Sequence, residues 1–339
     1  MSEIEKIAKQ IVAKGKGILA TDESTGTMTK RLSGVNVEST AQNRLKFRET
    51  LFSSEGMKKY IGGVILYDET IKQKTSLGKT VPELIKSFGP VPGIKVDTGA
   101  KKLATSPEEK ITEGLDGLRE RLLEYFKLGA RFTKWRAVYN VSSKYPSELA
   151  IKSNAHALAR YAALVQEAKM VPIVEPEVLM DGEHDINKCY EITSKVLKEC
   201  YKELTLHKVN LKGTILKPNM VIPGDRSKNK SNAAEVAKMT IKCLKENVPS
   251  EVPGIAFLSG GQTEIEATQN LNEINKANDT NFIMSFSYGR ALQQSALKNW
   301  GNNIKDISNT QKIFNHRSKM NGLSTTAQWN FDLENQISV

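Results

Sequence analysis

Eight short apolar segments recur along the chain and alternate with longer segments of helical pattern. Each apolar segment resembles a strand and ends in polar residues: GILATDE from Gly17, GGVILYDE from Gly62, GIKVDTG from Gly93, RFTKWR from Arg131, VPIVEPE from Val171, GTILKPN from Gly213, IAFLSGG from Ile255 and FIMSFSYG from Phe282. Their starts lie roughly 30 to 45 residues apart. Apolar residues at i, i+3 and i+4 predict helices over Ser153 to Lys169 and Ala233 to Glu246, and Pro107-Glu108-Glu109 predicts the start of another helix.

This alternation predicts an α/β fold, a single-domain (β/α)8 or TIM barrel with a closed parallel sheet. The length of 339 residues suits that fold. We assign residues 1–320 to the barrel and residues 321–339 to a C-terminal tail. A doubly wound open sheet is the alternative, and the lack of a GxGxxG motif after the first strand disfavours it.

The charge balance favours an anionic ligand. Lysine and arginine number 49 against 38 aspartates and glutamates, a formal net charge of +11. Such a surplus suits a phosphorylated metabolite, an acidic surface or nucleic acid. The basic residues are scattered, and the chain carries no basic helix interleaved with aromatics, no RNP pattern and no Cys/His finger, which disfavours nucleic acid as a partner.

The cysteine spacing and the N-terminal segment indicate the cellular compartment of the protein. Cys189, Cys200 and Cys243 show no CxxC spacing, so we interpret them as free thiols in a reducing compartment. The N-terminal segment has no apolar signal core, and no stretch approaches the ~20 apolar residues of a spanning helix. We therefore expect a cytoplasmic protein that does not contact a membrane.

Residues unsuited to an apolar core stand at the ends of the predicted strands. In a barrel these ends open on one mouth, where catalytic groups lie. Charges that face solvent are the alternative for any single position, but agreement among the strands favours a shared site. The candidates are Asp22, Lys95, Asp97, Lys134, Arg136, Glu175, Glu177, Lys217, Ser259, Gly260, Gly261, Ser287, Gly289 and Arg290.

Lys217 is the strongest candidate for a reacting group. It stands between Ile215-Leu216 and Pro218, where a charged ammonium is costly unless it is paired or reactive; a snorkelling lysine is the alternative. A free lysine has a pKa of about 10.4, so the neutral amine is rare at pH 7 unless desolvation and a nearby cation favour it. Lys134 is the candidate cation. The pattern indicates a Schiff-base enzyme, whose amine attacks a ketone.

The carboxylates Asp22, Glu175 and Glu177 are candidates to move the protons of such a reaction. Ion pairs with neighbouring cations are an alternative that is compatible with this role. Ser259 to Gly261 and Tyr288 to Arg290 fall on the seventh and eighth strands, where barrels often bind phosphate through backbone N–H groups. The sequence therefore predicts an anion site beside the reacting amine.

No metal-ligand motif stands out in the sequence. The four histidines, at positions 156, 184, 207 and 316, are far apart along the chain, so we expect surface or capping roles for them. We therefore expect no metal and no other cofactor. The chain also has no GxSxG elbow and no Walker A loop. Serine hydrolysis and P-loop phosphoryl transfer are therefore disfavoured.

Long motifs across roughly residues 1 to 320 resemble those of class I fructose-bisphosphate aldolases. They occur in the family's order: GILATDESTGTMTKRL at 17–32, KFRETLF at 46–52, GGVILYDET at 62–70, PGIKVDTG at 92–99, KWR at 134–136, IVEPEVLMDGEHD at 173–185, LKPNMV at 216–221, FLSGGQ at 257–262 and SFSYGRALQ at 285–293. The resemblance implies a (β/α)8 barrel that reversibly cleaves fructose 1,6-bisphosphate to dihydroxyacetone phosphate and glyceraldehyde 3-phosphate, in glycolysis and gluconeogenesis.

The resemblance also implies residue roles. Lys217 matches the imine-forming lysine, Glu175 the acid-base residue of carbinolamine dehydration and Asp22 the carboxylate of carbon–carbon cleavage. Lys134 matches a lysine that assists by its charge, and Glu177 a partner of active-site cations. The positions that match the C1-phosphate site are Ser259, Gly260, Ser287, Gly289 and Arg290, with Arg31 nearby, and those that match the site of the other end of the sugar are Ser24, Thr27, Lys95 and Arg136.

Three positions depart from the family pattern. Animal members end in a tyrosine whose tail folds over the site and aids proton exchange, whereas this chain ends in Val339, so the resemblance does not extend to that role of the tail. Arg131 stands where an acidic residue is expected, so we expect a neighbouring ion pair of the family to differ here. Thr27 replaces a serine and keeps the hydroxyl. The family is commonly homotetrameric, so the resemblance implies a homo-oligomer.

Two other functions remain open from the sequence. The nearest is an aldolase or transaldolase-like enzyme for another sugar phosphate, which relative rates with several sugar phosphates would distinguish. The second is a non-catalytic binder of acidic proteins or nucleic acid, suggested by the net charge, which predicts steeply salt-dependent affinity and no turnover.

Overall fold

The computed structural model describes residues 1–336 and contains a closed barrel of eight parallel strands. The order around the barrel is β1-β10-β9-β8-β7-β6-β3-β2. The predicted (β/α)8 barrel is confirmed, and each of the eight predicted strands contributes to it. The strands are β1 (Gly17–Ala20), β2 (Ile61–Leu66), β3 (Val91–Lys95), β6 (Phe132–Tyr139), β7 (Val171–Val178), β8 (Ile215–Leu216), β9 (Gly254–Phe257) and β10 (Ile283–Tyr288).

Helices fill the intervals between the strands and surround the barrel. They are α1 (Glu3–Ile11), α2 (Thr25–Ser33), α3 (Ala41–Phe52), α4 (Glu55–Tyr60), α5 (Asp68–Ile71), α6 (Val81–Ser87), α7 (Leu118–Lys127), α8 (Glu148–Glu167), α9 (Ile186–Leu206), α10 (Ala233–Asn247), α11 (Glu264–Ala277), α12 (Arg290–Asn302) and α13 (Ile307–Ser324), with 3-10 turns at Leu211–Gly213 and Phe331–Asn335. The helices predicted from Ser153 and from Ala233 correspond to α8 and α10. Among the described residues, no helix combines the length and apolarity that a membrane span requires.

The helix predicted to start at Pro107-Glu108-Glu109 is wrong. These residues lie in β5 (Ser106–Glu113), which pairs antiparallel with β4 (Gly99–Leu103) in a hairpin outside the barrel. Buried Glu109 accepts hydrogen bonds from the backbone and the hydroxyl of Ser147, at 2.7 and 2.5 Å. Contacts with distant residues thus outweigh the local helix signal, and the helix starts later, at Leu118.

The barrel interior is apolar at one end and polar at the other, and the two-residue period of a strand explains why. In β6, Phe132 belongs to the buried interior cluster, while Lys134 and Arg136, two and four residues later, line a cavity. In β7, Ile173 and Glu175 follow the same rule. The polar side chains therefore meet at the C-terminal ends of the strands.

Close packing beneath the cavity fixes the strand spacing. Gly93 in β3 faces the Phe132 ring, and a Cβ at this glycine would lie 2.4 Å from the ring carbons. The register sets Lys95 beside Lys134 and Arg136 beside Glu175. A larger residue at Gly93 would separate these strands and displace the polar layer above them.

The C-terminal segment packs against the helices outside the barrel. Helix α13 extends past residue 320, where the sequence analysis sets the domain boundary. Trp329 is buried, and its backbone N–H donates to Asn272 Oδ1 at 3.1 Å. Its indole N–H donates to Glu334, which also pairs with Arg317. The segment up to residue 336 is thus attached to α11 and α13.

Candidate active site

A cavity of about 330 Å³ opens at the C-terminal mouth of the barrel. All fifteen residues that the sequence analysis assigns to catalysis or binding line it. They are Asp22, Ser24, Thr27, Arg31, Lys95, Lys134, Arg136, Glu175, Glu177, Lys217, Ser259, Gly260, Ser287, Gly289 and Arg290. Asp97 also lines the cavity, whereas Gly261, the remaining strand-end candidate, is not among the lining residues.

Lys217 lies at the end of the short strand β8. Its backbone N–H continues the sheet by donating to the Val174 carbonyl at 2.8 Å, and Pro218 follows it. The side chain is 6% exposed, and its Nζ lies 3.1 Å from Glu175 Oε1. The amine is therefore removed from bulk water, in contact with a carboxylate, and not a snorkelling surface lysine.

Lys134 connects two carboxylates at the base of the cavity. Its Nζ lies 2.7 Å from Asp22 Oδ2 and 3.2 Å from Glu175 Oε2. Together with Lys217 these side chains form a row in which acids and bases alternate. Burial of four charges is costly, and this alternation supplies each charge with an opposite neighbour.

The electrostatics of the row keep both acids ionised. Burial raises the pKa of Asp22, but the positive charges of Lys134 and Lys217 outweigh burial and lower that pKa below its usual value. The pKa of Glu175 is lowered by the same two lysines against the effect of burial. Burial lowers the pKa of Lys134, but Asp22 and Glu175 reverse this effect and raise it. Lys134 is therefore a permanent cation beside the Lys217 amine.

Two further ion pairs line the cavity. Arg136 Nε donates to Glu177, and the Arg136 side chain is 44% exposed. Lys95 Nζ lies 2.9 Å from Asp97 Oδ1. Lys95 is the last residue of β3 and Arg136 lies in β6. The side chains of both cations are more exposed than that of Lys134. They form a basic surface on one side of the row.

An anion site lies on the opposite side, where β10 joins α12. The Ser287 hydroxyl is buried and has no hydrogen-bond partner among the described residues. Gly289 is the N-cap of α12 and offers no side chain to its first turn, so the backbone N–H groups remain available to an anion. Within residues 1–336, Arg290 is the one cation lining the cavity that lacks an ion pair with a carboxylate.

Neighbouring residues complete this anion site. A Cβ at Gly289 would lie 3.7 Å from an Arg31 guanidinium nitrogen, so Arg31 reaches the same turn from α2. At Gly260 a Cβ would lie 3.1 Å from Glu177 Oε1, so any side chain there would intrude on the cavity. The arrangement offers an anion two guanidinium groups, backbone amides and a free hydroxyl.

The start of α2 contributes hydroxyl groups to the cavity. Ser24 caps this helix by accepting from the backbone N–H of Thr27 at 3.3 Å, and the two hydroxyls are 3.2 Å apart. The threonine that departs from the family pattern thus presents its hydroxyl beside Ser24. The other internal departure, Arg131, donates to the carbonyls of Ala130 and Phe126 and stacks on the Phe126 ring, without a carboxylate partner in residues 1–336.

Glu23 is a residue that the sequence analysis missed. It is buried, lines the cavity and pairs with Arg31 and with buried Arg48, whose Nη2 lies 3.3 Å from Glu23 Oε2. The two arginines belong to other elements, α2 and α3, so only the adjacent Asp22 pointed to this position. Glu23 orients Arg31 towards the anion site.

The C-terminal departure falls partly beyond the described structure. Ile337, Ser338 and Val339, which include the position of the family's terminal tyrosine, lie outside the described residues. In the described segment before them, Glu334 forms an ion pair with Arg317.

Comparisons with known proteins agree with this geometry. The family model described as "Glycolytic: Fructose-bisphosphate aldolase class-I" matches residues 3–338. The chain is 50% identical over 330 residues to a probable fructose-bisphosphate aldolase class 1 of Xanthomonas campestris pv. campestris, covering 97% of this chain and 99% of that protein. It is 50% identical over 328 residues to the cytosolic fructose-bisphosphate aldolase 4 of Arabidopsis thaliana, covering 96% and 84%.

A solved structure is also similar along nearly the whole chain. It is that of fructose-bisphosphate aldolase from Plasmodium falciparum in complex with TRAP and a small molecule inhibitor, with a TM-score of 0.95 and 42% identity, covering 97% of this chain and 95% of that chain. The chain therefore belongs to the class I fructose-bisphosphate aldolase family, as its motifs predict.

Proposed function

We propose that this protein reversibly cleaves fructose 1,6-bisphosphate to dihydroxyacetone phosphate and glyceraldehyde 3-phosphate through an imine on Lys217. One observation carries the proposal: the Lys217 amine is buried 3.1 Å from Glu175, beside a Lys134 ammonium that two carboxylates hold in place. Family membership supports the same activity.

The first stage is formation of the imine. The ionised Glu175 first takes a proton from the Lys217 ammonium, whose Nζ lies 3.1 Å from it. The amine so formed attacks the C2 ketone, and a proton moves from the nitrogen to the carbonyl oxygen to give a carbinolamine. Glu175 then passes the proton that it has taken up to the C2 hydroxyl, which leaves as water. The nitrogen lone pair forms the C=N bond, and the product is a protonated imine.

The second stage is cleavage of the C3–C4 bond. Asp22, kept ionised by Lys134 and Lys217, takes the proton of the C4 hydroxyl. The C4 oxygen forms the aldehyde, and the electrons of the C3–C4 bond pass into the imine to give an enamine. Protonation of C3 and hydrolysis then release dihydroxyacetone phosphate and regenerate the amine.

Two cationic regions on opposite sides of Lys217 suit a substrate with a phosphate at each end. We assign the C1 phosphate to Ser259, Gly260, Ser287, Gly289 and Arg290, with Arg31. We assign the other end of the sugar to Ser24, Thr27, Lys95 and Arg136, and Glu177 holds Arg136 in place. Charge-assisted hydrogen bonds to phosphate are among the strongest that a protein forms.

The setting of this reaction is part of the proposal. We propose a cytoplasmic enzyme of glycolysis and gluconeogenesis that acts as a homotetramer. The location draws support from relatives named as cytosolic or cytoplasmic. Sedimentation of the purified protein tests the subunit number, because a monomer mass in solution contradicts this proposal.

Borohydride trapping tests the reaction itself. Reduction in the presence of dihydroxyacetone phosphate should add the mass of the reduced ketose to the peptide that contains Lys217, and only there. An unmodified peptide, or activity abolished by EDTA, contradicts the proposal. Rates with fructose 1-phosphate and sedoheptulose phosphates test the substrate, because a faster rate than with fructose 1,6-bisphosphate would assign the enzyme to another sugar phosphate.

A further inference from the structure

Two histidines and a glutamate converge on the outer face of the barrel, between α8 and α9. Nδ1 of His156 lies 3.1 Å from Oε2 of Glu203, and Nδ1 of His207 lies 3.7 Å from the same oxygen. The two imidazole ring centroids are 5.1 Å apart. Within residues 1–336, this is the one group of three potential metal ligands whose ligand atoms all lie within 4.8 Å of one another.

The backbone around these residues sets their positions. Glu203 and His207 are four residues apart at the end of α9, a spacing that directs both side chains to one face. His156 comes from the third turn of α8, which packs against α9. The three side chains of the cluster thus come from two packed helices. Sequence spacing alone did not reveal the cluster, because His156 and Glu203 are 47 residues apart.

A hydrogen bond to the backbone fixes the tautomer of the His207 imidazole. His207 Nδ1 lies 2.9 Å from the backbone carbonyl oxygen of Glu203, and because a carbonyl only accepts, Nδ1 carries the proton. The free lone pair of neutral His207 is therefore on Nε2. This outer hydrogen bond is the kind that orients metal-binding histidines and sets their tautomer.

We propose that His156, Glu203 and His207 bind a divalent transition-metal ion, for which Zn²⁺ is the test ion. Two imidazoles and one carboxylate suit Zn²⁺ and its neighbours, whereas Ca²⁺ and Mg²⁺ require sets of oxygen ligands. Three protein ligands leave a fourth position for water. The side chain of His156 is 52% exposed, so water and ions have access.

The distances agree with a shared ion. Two ligands that each lie 2.0–2.2 Å from a tetrahedral Zn²⁺ are about 3.3 Å apart, close to the 3.1 Å between His156 and Glu203. His207 would bind the ion through Nε2, because its Nδ1 carries the proton, and the exposed His156 ring can rotate to direct its free nitrogen to the same ion. The three cysteines do not compete for the ion, because all of them are buried. Binding would join α8 to α9 and stabilise the folded chain.

Calorimetric titration of the full-length, EDTA-treated protein with Zn²⁺ tests the site. We expect one ion per chain. Loss of even an outer partner of a metal ligand typically costs about 10–100-fold in affinity, so H156A, E203Q and H207A should each weaken binding by at least about tenfold. The matched controls are H184A, a histidine outside the cluster, and E199Q, one turn earlier on α9. Both controls should bind as the wild type does.

Two further readouts separate metal ligation from a helix-to-helix ion pair. Co²⁺ bound at the site should give the visible absorption of a four-coordinate ion, and Zn²⁺ should raise the Tm of the wild type and of both controls but not of the three variants. No stoichiometric binding, or equal affinity in the wild type and in H156A and H207A, overturns the proposal. These measurements do not involve aldolase turnover, so they fail or succeed independently of the proposed function.

Discussion

The Lys217 amine lies 3.1 Å from Glu175 Oε1, and both side chains are almost fully buried. Lys134 contacts the other oxygen of the same carboxylate at 3.2 Å. One carboxylate therefore faces two ammonium groups, of which Lys134 also holds Asp22. In the proposed reaction each stage has its own carboxylate, Glu175 for imine formation and Asp22 for bond cleavage, so substitutions can separate the stages.

Replacement of Lys217 by arginine should abolish the covalent intermediate. Arginine keeps the positive charge beside Glu175, but it stays protonated and cannot form the imine. We expect cleavage of fructose 1,6-bisphosphate to fall by at least about 10³-fold, on the scale seen when a nucleophile is removed. Mass spectrometry after borohydride treatment should find no adduct. The far-UV spectrum should be unchanged, and an adduct in K217R would show that another lysine reacts.

Replacement of Asp22 by asparagine should leave imine formation intact and slow bond cleavage. The neutral amide of the asparagine cannot take the proton of the C4 hydroxyl, and a positioned general base contributes about 10²–10⁴-fold. D22N should therefore still trap dihydroxyacetone phosphate with borohydride while its kcat for fructose 1,6-bisphosphate falls within that range. Loss of trapping in a folded D22N protein would assign Asp22 to the earlier stage.

Replacement of Glu175 by glutamine should affect the earlier stage. The carboxylate that contacts Lys217 is the proposed proton donor in dehydration, so E175Q should trap dihydroxyacetone phosphate at a rate about 10²–10⁴-fold below the wild type. Quenched-flow trapping measures that rate directly. D22N serves as the matched control, and equal trapping rates in both variants would contradict the division of roles.

The sequence allowed the barrel and its mouth to be predicted because both depend on local periodicity. Phe132, Lys134 and Arg136 illustrate this, since an apolar residue and two charged residues follow one another at the inward positions of β6. The C-terminal ends of parallel strands must then bring such charges together. The family motifs added the proposed role of each residue, which geometry alone does not specify.

Features that depend on distant partners were not predictable in this way. Glu109 belongs to a hairpin because it binds Ser147, and this contact outweighs a local sequence typical of a helix start. Glu23 is stabilised in the interior by Arg48, which lies 25 residues away in sequence. The approach of His156 to Glu203 likewise requires the packing of two helices.

Replacement of Arg290 by alanine should weaken substrate binding more than it slows the chemistry. Arg290 lines the anion site without a carboxylate partner in the described chain, and hydrogen bonds to charged groups contribute about 1.5–3 kcal/mol each. KM for fructose 1,6-bisphosphate should therefore rise about 10–100-fold. K298A is the control, because Lys298 is an exposed cation on the same helix. An unchanged KM in R290A would remove Arg290 from the phosphate site.

Replacement of Lys134 by methionine should destabilise the fold in a pH-dependent way. Breaking a buried ion pair by removing one partner typically costs about 3–5 kcal/mol, because the remaining charge is left uncompensated. In the wild type the pKa of Asp22 is depressed, so its ion pairs stabilise the fold above the unfolded pKa of about 3.9, and this contribution is lost as the pH falls towards the folded pKa.

In K134M the folded pKa of Asp22 rises, because burial is no longer opposed by the nearest cation. The difference in unfolding free energy between wild type and K134M should therefore be largest near neutral pH and shrink as the pH falls through about 4. Urea unfolding at several pH values measures it. K152M, which breaks the exposed pair with Glu148, should show little change at any pH. A difference for K134M that stays constant with pH would mean that Lys134 contributes packing and not charge.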